Sequence, residues 1–422
     1  MKKTTPSNSP RFSIVIPTRN RARTLGATLQ SCLDQNFSNY EIVVCDNCST
    51  PETQAVVEQF VSDKIVYHRA KKPLSMSANW NLAYSLAKGE FVTFLGDDDA
   101  LMPFALHQLD AVLSKTKVKA VRWDAVIYGW PNIALAEHAN YFQVPLSRRY
   151  EFREGRQTIS AVLNAKISGE MLPRVYHGLV ASEVLDRVRQ KTGRVFGSYH
   201  CDTYTSFAVA YELDRYISLD TPMTVMGFSS ASNNIAFSLM RRKSAIGQNY
   251  RAEHAGSAMS KLIPDLASHY VVLPESFLAA KADLFPKDDT LVLDRRVMVG
   301  QLLKRMPIDT IDEWPAAVAE IRRSVSDDPE LLAWFEKRLT ATRPKTSPRD
   351  SFPRHRGFRG GQLYLNVKKR GITNVAQAAK FAAQILRVGG RDLVVEREGV
   401  GSRLMRKLKV AKFLLLKAGR AP

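Results

Sequence analysis

Three consecutive aspartates, Asp97, Asp98 and Asp99, follow an apolar run and a single glycine in Glu90–Pro103, "EFVTFLGDDDALMP". Adjacent carboxylates repel one another unless a positive group neutralises them. A hard divalent cation does so through oxygen ligands, and magnesium-type ions complete their shell with substrate phosphates. The triplet therefore reads as a metal–phosphate site for Mg2+ or Mn2+. The competing reading is an acidic helix cap before Ala100, which would use one or two carboxylates and leave the third without a purpose. Cys45 and Cys48 have CxxC spacing, but only Cys32 and Cys201 remain to complete a zinc site, so zinc is not expected. His177 and His200 read as ordinary polar residues rather than metal ligands.

The elements that must position these carboxylates follow from the apolar pattern. Phe12–Pro17, Glu41–Cys45, Lys64–His68, Glu90–Leu95 and Lys119–Asp124 read as strands. Between them Ala22–Gln35, Pro51–Phe60, Asn79–Ala87 and Pro103–Ser114 read as helices; Leu25, Leu29 and Leu33 share one face of the first. Alternation at this rhythm predicts an α/β fold, a mostly parallel sheet flanked by helices. Ligands of such sheets bind beyond the carboxyl ends of the strands, where the triplet, Thr18-Arg19-Asn20 and Asp46-Asn47 all fall. Farther on, "YGWPN" and "FREGRQ" read as turns, Thr158–Asn164, Ser182–Thr192 and the stretch from Asp202 as helices, and residues 215–234 as two short strands with a Ser/Asn cluster at Ser229–Asn234.

Four segments in order, "FSIVIPTRNRARTLGATLQSCLDQNF", "YEIVVCDNCSTPET", "GEFVTFLGDDDALMP" and the strand that ends at Asp124, resemble the nucleotide-sugar-binding half of the family-two glycosyltransferases, which have the GT-A fold. The resemblance implies a division of the chain: a polar lead-in at 1–10, a nucleotide-sugar-binding half at 11–125, an acceptor-binding half at 126–250, a helical extension at 251–340 and a basic tail with an amphipathic helix at 341–422. It also implies roles. Pro17, Thr18, Arg19 and Asn20 would line the base pocket, Asp46 would accept from the base, and Asn79 would be a donor contact. Asp97 would approach the ribose or the metal, and Asp98 and Asp99 would reach the metal. The family's usual pattern is Asp-x-Asp-Asp, and Gly96 stands at its first position here, so which aspartate is the direct ligand stays open. The catalytic base implied is Asp202, at a helix start, where Cys201 replaces the usual acidic neighbour; Glu170 and His200 are the runners-up. Trp80, Trp123 and Trp130 read as packing residues before sugar-stacking ones. The reaction implied is metal-dependent, inverting, hexosyltransferase-like transfer from a nucleotide-diphospho-sugar to a cell-surface glycan or lipid-linked acceptor. The alternatives are a nucleotidyltransferase, which would show a Gly-rich loop with a lysine after the first strand, and an inactive nucleotide-binding scaffold.

Net charge is +20, and its distribution is uneven. Residues 341–422 hold 20 Lys/Arg against 4 Asp/Glu. Ser402–Ala418 alternates basic and apolar residues, which reads either as an interfacial helix on an anionic membrane surface or as a helix packed on the domain with a solvated basic face; nucleic acid is not the expected partner, since no recognised motif accompanies the charge. No stretch reaches the roughly 18 apolar residues that span a bilayer, and the N-terminus lacks the apolar core of a signal peptide. The expected location is the cytoplasm, peripheral on the inner face of the membrane.

Overall fold

The computed structural model describes residues 9–133, 135–231, 260–266, 268–308, 310–345, 355–388 and 400–416. Ser232, Asn233 and Asn234 of the Ser/Asn cluster, the end of the acceptor half to residue 250, and Lys417 and Ala418 of the basic helix lie outside them.

The first half alternates as expected: β1 (Phe12–Thr18), α1 (Ala22–Leu33), β2 (Tyr40–Asp46), α2 (Pro51–Glu58), β3 (Ile65–Arg69), α3 (Met76–Leu86) and β4 (Phe91–Phe94). After β4 come β5 (Ala100–Leu101), α4 (Ala105–Thr116), β6 (Ala120–Trp123), β7 (Val126–Gly129), β8 (Tyr141–Pro145), β9 (Tyr150–Glu154) and α5 (Gly155–Leu163). Next are β10 (Gly178–Ala181), α6 (Ser182–Thr192), α7 (Cys201–Glu212), β11 (Arg215–Leu219) and β12 (Thr224–Phe228). Four helices follow: α8 (His269–Leu284), α9 (Arg295–Lys304), α10 (Trp314–Val325) and α11 (Pro329–Thr340). The C-terminal part holds β13 (Gly357–Arg359), β14 (Gln362–Asn366), α12 (Val375–Val388) and α13 (Val400–Leu416).

Two sheets organise these elements. The larger runs β3-β2-β1-β4-β10-β6-β11-β9, and the smaller β13-β14-β8-β7-β12-β5. β3, β2, β1 and β4 are mutually parallel, whereas β10 is antiparallel to both neighbours. β1 and β2 are apolar over most of their length because helices cover both faces; Ile14, Val15, Ile16, Val43 and Val44 are fully buried. Each such side chain contributes about 1.5–3 kcal/mol on leaving water. α1 buries Leu25, Leu29 and Cys32 along one stripe.

Three times the chain steps from the larger sheet to the smaller: from β4 to β5, from β6 to β7 and from β11 to β12. The aspartate triplet is the first of these steps. The turn-rich reading of "YGWPN" and "FREGRQ" is corrected here, since Tyr128 and Gly129 belong to β7 and Phe152–Glu154 to β9. Their residues alternate in exposure on short strands, a pattern with weak local signal.

The segment after residue 340 is bound into the domain. β14 pairs antiparallel with β8, and Gly360 and Gly361, both at positive φ (55° and 80°), make the two-residue hairpin turn that joins it to β13. α12 packs across α1, β5, β7 and β12. The helical extension has a core of its own, including Val299, Leu302, Ile321 and Phe335. A further cluster, with Phe207, Phe277 and Phe285, joins α8 to α7.

Candidate active site

The three aspartates sit on consecutive residues and face different surroundings. Asp97 accepts from the Thr18 hydroxyl at 2.7 Å, and the Arg21 guanidinium lies 3.5 Å away. Burial pushes its carboxyl up to about 6, against the pull of Arg21. Asp98 accepts from the Ser229 hydroxyl at 2.7 Å, and burial raises it while that hydrogen bond holds it down. Trp130 donates to the backbone carbonyl of Asp98 at 3.0 Å. Trp130 and the fully buried Trp123 are therefore packing and positioning residues, as expected from their type.

Asp99 is fully buried. Its Oδ1 accepts from the Gly227 N–H at 2.7 Å, and its Oδ2 from the Tyr176 hydroxyl at 2.8 Å and the Gly96 N–H at 3.0 Å. Gly227 is required for this approach: a Cβ there would lie 1.8 Å from the Asp98 carbonyl oxygen. His177 Nε2 is 3.4 Å from Asp99 Oδ2, but burial pushes that imidazole down to about 3, so it is neutral and offers no counter-charge. Burial raises the Asp99 carboxyl well above the ordinary range. Both oxygens of Asp99 are thus engaged by protein donors. These bonds tie the end of β4 to Tyr176 and to β12, a role the expectation of Asp99 as a metal ligand did not include.

The loop Pro17-Thr18-Arg19-Asn20 does lie beside the triplet. Thr18 and the backbone of Arg19 hold Asp97. Asn20, in the left-handed region at φ 57°, accepts from the Thr50 N–H at 3.0 Å and donates from its own N–H to the Ser49 hydroxyl at 2.8 Å. Asp46 belongs to the same corner but is fully buried; it accepts from the Ser49 N–H at 2.9 Å and the Tyr67 hydroxyl at 2.7 Å. Its evident work is to shape the turn after β2. Asn79 is buried against Cys45, with its amide oxygen 3.5 Å from that thiol. Trp80 stacks on Phe94 at 4.8 Å and meets Phe196 edge-on, which is core packing.

Asp202 opens α7, as the sequence suggests. Burial raises its carboxyl; the Thr203 N–H and Arg174 lower it, and Glu170 acts with burial. Tyr176, whose hydroxyl holds Asp99, also feels the charge of Asp202, so the base candidate and the acidic step share one wall. Glu170 is exposed and ion-paired with Arg174, and His200 lies beside Tyr199. Asp202 is the base candidate whose charge reaches Tyr176 in that wall.

Several positioning residues escape sequence reasoning. Asn81 accepts from the N–H groups of Val195 and Phe196 at 2.9 and 3.1 Å and donates to the Phe196 carbonyl at 2.8 Å, fixing the loop before α7. Glu275 and Asp283 of α8 take the Ser198 and Tyr204 hydroxyls, each at 2.8 Å, so the helical extension braces the same loop. Arg21, beside Asp97, bonds the Ala231 carbonyl, and Ser229 sits on Asp98. Arg21 and Ser229–Ala231, with Asn20, Thr50 and Asn132, line a cavity of about 340 Å³. Only the Ser/Asn composition near 229 hinted at any of these.

The donor set at the step suits a hard divalent ion. Asp97 and Asp98 offer carboxylates on adjacent residues, close enough for the charge of Asp98 to raise Asp97, and Asp98 keeps 7% of its surface open. Among the described residues no group of three or more His, Cys, Asp or Glu could hold a metal. Asp97 and Asp98 would supply carboxylates and leave the rest of the shell to phosphate and water, as magnesium-type ions prefer.

A strand-helix-strand half ending in such an acidic step defines an α/β domain with a mostly parallel sheet. The model of Glycosyl transferase family 2 matches residues 13–167. The chain is 38% identical over 103 residues to the GalNAc(5)-diNAcBac-PP-undecaprenol beta-1,3-glucosyltransferase of Campylobacter jejuni, a match covering 24% of this chain and 33% of that protein. It is 32% identical over 87 residues to the UDP-Glc:alpha-D-GlcNAc-diphosphoundecaprenol beta-1,3-glucosyltransferase WfaP of Escherichia coli, covering 21% and 35% respectively. The chain thus spans about a third of the length of these relatives. The crystal structure of S. aureus TarS 1-349 in complex with UDP-GlcNAc overlaps 77% of this chain and 83% of that one, with 16% identity and a TM-score of 0.46.

Proposed function

We propose that the protein is a metal-dependent, inverting glycosyltransferase that moves a sugar from a nucleotide-diphospho-sugar to a hydroxyl of a lipid-linked or cell-surface glycan. One observation carries the reading. The acidic step turns Asp97 and Asp98 toward the corner formed by Thr18, Arg21 and Ser229, while Asp99 is consumed in holding the two sheets together. The names of the relatives make UDP-glucose the first donor and a diphosphoundecaprenol-linked glycan the first acceptor to test.

Asp98, with Asp97 beside it, would hold Mn2+ or Mg2+, which when bound neutralises the charge of the diphosphate leaving group. The Thr18 hydroxyl and Arg21 fix Asp97 where a ribose or the metal can meet it. Asp202 takes the proton from the acceptor hydroxyl. The acceptor oxygen bonds the anomeric carbon as that carbon's bond to the diphosphate oxygen breaks, so configuration inverts and the nucleoside diphosphate leaves. A carboxylate raised by burial is better matched to this proton transfer than an ordinary one. The basic C-terminal segment supports a site of action at an anionic membrane surface, where a lipid-linked acceptor resides.

A nucleotidyltransferase is disfavoured by the loop after β1, which has no Gly-rich turn and no lysine. A scaffold without turnover is separated by assay. Release of UDP from UDP-glucose in the presence of Mn2+, abolished by EDTA and by Asp98→Ala, supports transfer. Nucleotide binding with no turnover under any acceptor condition supports the scaffold instead.

A further inference from the structure

α13 has two apolar faces, and only one is packed. Val410 and Arg406 are buried, with Arg406 bonded to the Leu146 carbonyl, and Phe413 and Leu414 rest half-buried on the core. On another face Leu404, Leu408 and Leu415 are 60%, 59% and 78% exposed. Their spacing of four and seven residues places them on one line along the helix. Met405 and Leu416, 54% and 71% exposed, flank that line. Five of the ten large apolar side chains exposed among the described residues thus fall on this one helix, and the other five are scattered singly. A contiguous patch of this kind marks an interaction surface, whereas scattered exposure does not.

The rim of the patch is cationic throughout. Arg403, Lys409 and Lys412 are exposed on the same helix. The Arg370 guanidinium bonds the Leu414 carbonyl at 3.4 Å, which brings exposed Lys368 and Lys369 to the far end. Residues 355–388 and 400–416 together hold twelve Lys/Arg and no Asp or Glu. The ligand must therefore offer an apolar layer and a dense anionic layer at once. A second copy of this helix would set cation against cation. A nucleic acid would satisfy the cations and leave the leucines in water. Among the described residues no helix is long and apolar enough to cross a membrane.

We propose that α13 lies in the interface of a bilayer rich in anionic phospholipid, with Leu404, Leu408 and Leu415 below the headgroups and the lysines at the level of the phosphates. Such helices sink their apolar face roughly 5–10 Å. The packed face anchors the bound helix to α12, and α12 in turn lies on β12, the strand that leads to Ser229 on Asp98. One helix layer thus separates the membrane-bound element from the sheet that forms part of the site. The docking does not depend on glycosyl transfer, and its test needs no turnover.

The full-length chain is sedimented with vesicles of phosphatidylglycerol and phosphatidylcholine, and with vesicles of phosphatidylcholine alone. Binding is expected to the first, falling with salt, and not to the second. The combined Leu404→Ser, Leu408→Ser, Leu415→Ser variant should lose at least about tenfold in affinity with an unchanged melting temperature, since those side chains face solvent. Lys409→Gln and Lys412→Gln should each cost about fivefold. A Leu408→Cys chain carrying an environment-sensitive dye should shift to the blue on anionic vesicles only. The proposal is overturned if the triple-serine variant binds as the parent does, or if neutral vesicles bind equally well. It also falls if the parent forms a dimer that the serine variant loses, or if duplex nucleic acid binds parent and serine variant alike and displaces the vesicles.

Discussion

The two sheets that meet at the acidic step are built differently. The larger one takes its central strands from apolar runs, each buried on both faces, joined by helices of ordinary length. The smaller one gathers short strands from residues 100, 126, 141, 224 and 357 onward, and its contacts depend on partners far away in the chain. Yet it is the smaller sheet that decides how the aspartates are used: its Gly227 N–H holds Asp99, and its Ser229 holds Asp98. One core runs through both sheets, and the different hydrogen bonds of Asp98 and Asp99 come in part from the smaller one.

Substitutions on the two sides should therefore separate activity from stability. The largest effect is expected at Asp202. Replacement by Asn should lower kcat about 10²–10⁴-fold and leave the urea midpoint in place; an unaltered kcat would remove it as the base. The same residue predicts the pH profile. The base works ionised and burial raises its pKa, so kcat/KM should climb with pH through a limb above the ordinary carboxylate range of about 3.9 and then level off. In the core of the larger sheet, Trp80→Ala opens the stack on Phe94 and Phe196. It should cost about 3–5 kcal/mol in urea unfolding, and residual folded enzyme should keep its nucleotide affinity.

At the joint the expected effects are smaller and more diagnostic. Asp99→Ala leaves the Gly227 N–H and the Tyr176 hydroxyl without their acceptor and should destabilise by about 1–3 kcal/mol. If it instead abolishes metal response at unchanged stability, Asp99 is a ligand after all. Ser229→Ala removes a hydroxyl that orients Asp98. An outer-shell loss of this kind should weaken apparent Mn2+ affinity by about tenfold, measured by titration of activity, with little change in melting.

This division explains what was legible in the sequence. β1 to β4 and their helices announce themselves because doubly buried strands are apolar throughout. The register of the family motif placed Thr18, Asp97 and Asp98 together. The small sheet stayed hidden because a four- or five-residue strand with one polar face resembles a loop. The hairpin of β13 and β14 was not read from Gly360-Gly361, because residues 341–422 were taken together as a basic tail. Asp99 was read as a ligand because residue type cannot show that both of its oxygens accept from protein donors. Asp46 and Asn79 were assigned donor contacts without knowledge of Ser49, Tyr67 and Cys45, whose bonds to them exist only in three dimensions.

The most direct test of the acidic step is thermal denaturation with UDP, with and without Mn2+, in the parent, Asp98→Ala and Asp99→Ala proteins. A ligand that binds only the folded state raises Tm. The parent and Asp99→Ala should each gain Tm with UDP and Mn2+ together, the latter from a lower starting value, while Asp98→Ala starts near the parent and gains nothing from the metal. An Asp98→Ala protein that responds to Mn2+ as strongly as the parent would contradict the assignment of the step as the metal–diphosphate site.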